Sequence, residues 1–298
     1  MHIDWRRSPC THSQLSFKRL DPDKLKVSGV VRLADKYLLE SLQKHLIQQV
    51  ISDWPTTLQE WDIRDTEIQA IRKAADADTT SKARKELVPE PIAAILFAEE
   101  FGCRQILPAA FYQLAQTKLS HNWYDEGIKG DPWMETLPLA RWSLLEKENL
   151  VRCLQGFQAL DDYRVDATAL MSEKCLCFLS WVMDEEGYAE ATRSYQCLAF
   201  MGELVTIVWP RNSRKNPLKL LLELLEYEQY PAFSKERFPN GLCEHCRERL
   251  PEAVNQRRET LWKSLPDHFM VQMVRRFQPV NAFMDLCSSH AEPSKDDT

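Results

Sequence analysis

The sequence predicts an all-α protein, an irregular helical bundle or array, and three observations carry that prediction. Glycine is scarce: 8 residues in 298, against a usual share of about 7%, leave few sites for the tight turns of hairpin-rich β architecture. Apolar residues recur at i, i+3, i+4 and i+7. Proline and capping residues punctuate those runs where helices begin and end.

Taken in order, residues 1–26 are polar, and Val30, Val31, Leu33, Ala34, Tyr37 and Leu38 then form the apolar stripe of a first helix. A break near Leu39–Ser41 precedes a second helix carrying Leu42, Leu46, Val50 and Ile51, which Trp54-Pro55 stops because proline disfavours helical geometry in the residue before it. Thr57 with Glu60 three residues later forms a capping box for a third helix, turning Leu58, Trp61 and Ile68 inward. Residues 74–88 are small and charged and read as an exposed connection. Pro89-Glu90-Pro91 opens the apolar helix IAAILFAEEF, ended by Gly102, and Pro108 starts the next. Residues 137–160 read as two more helices, 161–188 are ambiguous between strand and helix, and helices follow near 189–208, 216–229 and 246–265. The last eleven residues, 288–298, have the composition of a disordered tail. The expected organisation is thus 1–73, a connection at 74–88, a helical region at 89–287 and the tail.

Charge and composition narrow the function. A net charge of −6 gives no field favouring nucleic acid or an anionic bilayer, and the Arg pairs at 257–258 and 275–276 read as solvated helix faces. The longest apolar run, Cys197 to Trp209, is interrupted by Glu203, so neither a membrane nor a nucleic-acid partner is expected. Nine cysteines, an odd number without a leader-like N-terminus, point to reduced thiols inside the cell, in cytoplasm or nucleus.

Motifs for hydrolases, zinc proteases, nucleotide cradles and kinases are missing from the sequence, and the seven histidines are dispersed. No catalytic residue is assigned. The one chemically suggestive set is Cys243-Glu-His-Cys246 with Cys175-x-Cys177 upstream. Two pairs of thiolates would complete the tetrahedron of a closed structural zinc site. Free cysteine is also a common small core residue, so plain thiols are the first expectation for Cys175, Cys177, Cys243 and Cys246, with structural zinc the alternative, a redox dithiol ranked last, and no other cofactor. The tryptophans, Trp54, Trp61, Trp142 and Trp262 among them, read as core anchors.

The stretch VVRLADKYLLESLQKHLIQQV at 30–50 resembles the last two helices of a BTB (POZ) domain. Together with DWPTTLQEWD, PEPIAAILFAEEFGCRQILPAAFYQLAQ, LARWSLLEKENLVRCLQG and LCEHCRERLPEAVNQRRETLWKSLPDHF, it resembles the helical extension of fungal BTB-domain proteins. The resemblance implies a non-enzymatic protein-protein interaction module, a scaffold or adaptor recruiting protein partners. The residues before 30 do not match the strands and helices that build the family's dimer face, so the fold is expected to begin with the terminal helices of a truncated BTB-like domain, and homodimerisation does not carry over. On this reading Val30, Leu33, Ala34, Tyr37, Leu42 and Leu46 pack against the downstream helices. A zinc-stabilised helical regulator and an enzyme of unrecognised type are the alternatives.

Overall fold

The computed structural model describes residues 24–77, 89–120, 122, 139–172, 175, 188–209, 216–230 and 241–271. Among them are nine α-helices and no strand, as the glycine content and periodicity predict. The helices are α1 (Lys24–Lys36), α2 (Glu40–Ser52), α3 (Leu58–Ala77), α4 (Pro91–Phe101), α5 (Leu107–Ala115), α6 (Lys147–Asp162), α7 (Tyr188–Val208), α8 (Pro217–Glu223) and α9 (Glu244–His268), with short 3-10 turns at 104–106, 142–144, 167–170 and 224–229. No helix among the described residues is long and apolar enough to cross a membrane.

The centre of the molecule is the α4–α5 hairpin. Both helices are apolar on nearly every side, which suits a helix surrounded by others, and Ile92–Ile95 and Leu107–Leu114 are buried. Local chemistry sets their ends. Glu90 caps α4 by accepting from the N–H groups of Ile92 (3.0 Å) and Ala93 (2.6 Å), and it also accepts from the N–H of Arg141 (3.0 Å), fixing the chain that leads into α6. Burial pushes this carboxyl above its ordinary value while the three N–H donors oppose that shift. Gly102, at φ 72°, ends α4 in the left-handed conformation that favours glycine. Around this hairpin lie α1, α6 and α9, and α9 also touches α3 and α8. Trp61 meets the Tyr112 ring edge-on at 5.1 Å and Trp262 at 5.7 Å, while the Tyr112 hydroxyl donates to Asn216 Oδ1 (2.6 Å) and accepts from the Leu218 N–H (3.2 Å), holding the start of α8.

Other punctuation behaves as read. Glu60 accepts from the N–H groups of Thr56 (2.7 Å) and Thr57 (3.2 Å), and Thr57 Oγ1 accepts from the Glu60 N–H (3.2 Å); these donors, Thr56 first, hold the Glu60 carboxyl below its usual range. Trp54, Trp61 and Trp262 are buried.

Four readings need correction. Helix α3 continues to Ala77, into the segment read as a connection from 74, because nothing in its sequence stops it before then. Between 137 and 160 a 3-10 turn and one helix replace the two helices expected. The turn at Leu38–Leu39 does leave Ala34 and Leu46 buried, but Val30, Leu33, Tyr37 and Leu42 stand 45%, 54%, 65% and 41% exposed, beside exposed Leu38 and Leu39. The reason is that α1 carries two apolar stripes: Val27, Val31 and Ala34 face the core, and Val30, Leu33 and Tyr37 lie about a quarter turn away at 100° per residue.

Arg258 is the fourth. Unlike exposed Arg257, it is buried, donating through Nε to the Leu218 carbonyl (3.1 Å) and through both Nη atoms to Asp62, 196 positions earlier in the chain. It therefore bolts α9 to α3 and α8. Arg258→Met should cost about 2–3 kcal/mol in denaturant unfolding, below the roughly 3–5 kcal/mol typical of a fully buried pair because Asp62 is half-exposed and can rehydrate.

Candidate metal centre

The cysteines of the C-terminal half arrive at one point from three elements. Gly241, at φ 54°, turns the chain, Leu242 is buried, and Cys243 becomes the N-cap of α9 in extended geometry (φ −61°, ψ 159°). Cys246, three residues on, lies in the first turn of α9 and is fully buried. A C-x-x-C pair so placed brings both sulfurs to one spot beside the helix N-terminus. Cys197 comes from α7, on the same inward face as Met201, Leu204 and Val208. Its sulfur accepts from the Cys243 N–H at 3.3 Å. Cys175 follows the 167–170 turn, its N–H donating to the Ser172 carbonyl (3.0 Å), and it too is fully buried.

The four sulfurs all lie within 4.8 Å of one another, and Cys175 Sγ stands 3.7 Å from Cys243 Sγ. That separation is far beyond the ~2.05 Å of a disulfide, and it equals the ~3.8 Å edge of a tetrahedron with zinc–sulfur bonds of about 2.3 Å. The cluster could hold a metal ion.

Three of the four cysteines singled out from spacing, Cys175, Cys243 and Cys246, thus come together. Cys177 lies outside the described residues, and the fourth corner is Cys197. Sequence reasoning missed Cys197 because its helical register makes it one more inward-facing residue of an apolar run; nothing in its spacing to the other three marks it. Its distinguishing signal is three-dimensional.

The cause of its shift separates Cys197 from the buried thiols outside the cluster. Cys103 and Cys153 are pushed up to about 11 and about 12, burial being the leading cause, and behave as small core residues. The Cys197 thiol is raised chiefly by its hydrogen bond with Cys246 and then by burial. Such a thiol holds its proton at neutral pH until a cation displaces it, so metal capture here would be a proton-for-metal exchange.

All four positions of a tetrahedron would be protein sulfur, three of them buried. A closed S4 set leaves no coordination position for a substrate or an activated water, which is the arrangement of a structural centre. No protein-family model, curated protein or solved structure matches the chain.

Proposed function

We propose that this chain is a non-catalytic, BTB-related helical interaction module whose C-terminal half is fastened by a structural zinc ion bound to Cys175, Cys197, Cys243 and Cys246. The observation that carries the reading is the packing of the four sulfurs within 4.8 Å. Soft thiolates in tetrahedral array select zinc among common intracellular ions, and a multi-iron cluster would need its cysteines spread around inorganic sulfide. The metal joins the Cys175 segment to α7 and to the start of α9, and its work is to hold them together.

A binding role is supported by the exposed apolar face of α1 and the α1–α2 turn, Val30, Leu33, Tyr37, Leu38, Leu39 and Leu42, since contiguous apolar surface marks sites of association. It is also the part of the chain that resembles the closing helices of a BTB domain. The cleft between α2 and α3, about 180 Å³ in size, is lined in part by Trp54, Glu60, Ile63 and Arg64. Its charges serve the fold: Glu60 caps α3, and Arg64 lies over the Trp54 ring at 4.1 Å while donating to the Asp53 carbonyl (2.8 Å) and Gln113 Oε1 (2.6 Å).

Metal analysis of the protein purified under reducing conditions should find one zinc per chain. Cys197→Ala should abolish it and Cys177→Ala should leave it unchanged; a metal-free wild type, or the reverse pattern, overturns the assignment. For the binding role, proteins captured from lysate by the wild type should be lost from a Leu33→Lys/Tyr37→Lys variant that still retains its zinc. Identical recovery by both removes the α1 face from the account.

A further inference from the structure

The cluster is not symmetric toward solvent. Cys175, Cys197 and Cys246 are 0–1% exposed, whereas Cys243, lifted to the N-cap of α9, is partly exposed. A dissolved reagent therefore meets Cys243 first. Cys175 Sγ lies 3.7 Å from its sulfur and the Cys197 thiol also hydrogen-bonds with Cys243, but Cys175 sits on irregular backbone after a 3-10 turn. The two remaining sulfurs are carried inside helices, Cys197 in α7 and Cys246 in α9, where movement toward Cys243 must bend or rotate a packed element.

Building on the zinc reading above, we propose that the centre is a peroxide-sensitive clasp in which Cys243 is the sulfur oxidised and Cys175 the sulfur that resolves it, with release of the metal. In the first step the Cys243 thiolate, leaving zinc, attacks hydrogen peroxide. An S–O bond forms, the O–O bond breaks, and the departing hydroxide takes a proton to become water; Cys243 is now a sulfenic acid. In the second step the Cys175 thiolate attacks the Cys243 sulfur, forming S–S and breaking S–O, and the second hydroxide leaves as water after protonation. Two thiolates, one peroxide and two protons give one disulfide and two waters. The zinc, reduced to two sulfur ligands, departs.

The consequence for the fold is a partial unfastening. The disulfide keeps the Cys175 segment tied to the head of α9, while Cys197 and with it α7 lose their link. Closing 3.7 Å to a bond length of about 2.05 Å moves the Cys175 segment, not the two helices.

The test uses the full reduced chain, its zinc content measured first, then treated with hydrogen peroxide in the presence of a chromophoric zinc chelator, with disulfides mapped by mass spectrometry of unreduced digests. The expected result is zinc release in step with a Cys175–Cys243 cross-linked peptide, reversed by dithiothreitol and added zinc. A Cys243–Cys246 or Cys197–Cys246 bridge appearing first, or zinc retained while Cys243 becomes oxidised, overturns the clasp and leaves the zinc reading intact. A reduced protein without zinc overturns both.

Discussion

On the zinc reading proposed above, treating the reduced protein with a chelator at neutral pH is expected to lower its thermal midpoint by roughly 10 °C. A ligand present at about 1,000 times its dissociation constant stabilises the folded state by about 4.1 kcal/mol, and a chain somewhat larger than 150–250 residues shifts by roughly 2–4 °C per kcal/mol. The loss should not be uniform. Helices α4 and α5 carry none of the four cysteines and are buried along most of their length, so hydrogen exchange should rise mainly in α7 and the first turns of α9. Because each thiol surrenders its proton on binding, lowering the pH should reproduce the effect of the chelator, with stability falling as acid competes for the sulfurs. A melt insensitive to both treatments would remove the metal from the account of stability.

The second large effect should come from a change that ordinarily helps a helix. Gly156 is buried in α6, and a Cβ placed there would lie 1.9 Å from Cε1 and 2.0 Å from Cδ1 of Phe269. That ring cannot retreat: it is fully buried and stacked on Phe111 with centroids 5.4 Å apart and planes 16° apart. It is delivered there by the end of α9, where Met270 takes φ 49° and the Val271 N–H returns to the Pro266 carbonyl at 2.7 Å. Exposed Gly→Ala changes in helices gain about 1 kcal/mol, but overpacking a filled core costs about 1–3 kcal/mol. Gly156→Ala should therefore destabilise by about 2–3 kcal/mol in denaturant unfolding, and Phe269→Leu in the same chain should recover part of that loss. A Gly156→Ala protein as stable as wild type would mean that α6 and the end of α9 do not meet at this closeness.

These two sites also show where the sequence was readable. Helix starts and stops rest on contacts within four residues, and Thr57 with Glu60, Glu90 with Pro91, and Gly102 each do locally what their residue types allow. Three of the four clustered cysteines were visible because two form a C-x-x-C and one had a near neighbour. Cys197, Gly156 and Arg258 were not, since each takes its meaning from a residue 46, 113 or 196 positions away, and periodicity carries no information at that range. The two stripes of α1 failed for a related reason: a pattern of apolar residues says that a helix has faces to cover but does not say which one the rest of the chain reaches.

The order of the sulfurs along the chain has a consequence for how the protein is made. Cys175 and Cys197 are synthesised well before Cys243 and Cys246, and neither upstream residue alone can grip an ion, so the clasp cannot close until the head of α9 has emerged. Closing the 68-residue span between Cys175 and Cys243 costs only modestly more entropy than closing a shorter loop. What limits the event is timing: on the proposed zinc reading metal capture goes together with the docking of α9, whose Arg258 and Trp262, with Phe269 just beyond, complete the core, and a ribosome stalled before residue 246 should display neither.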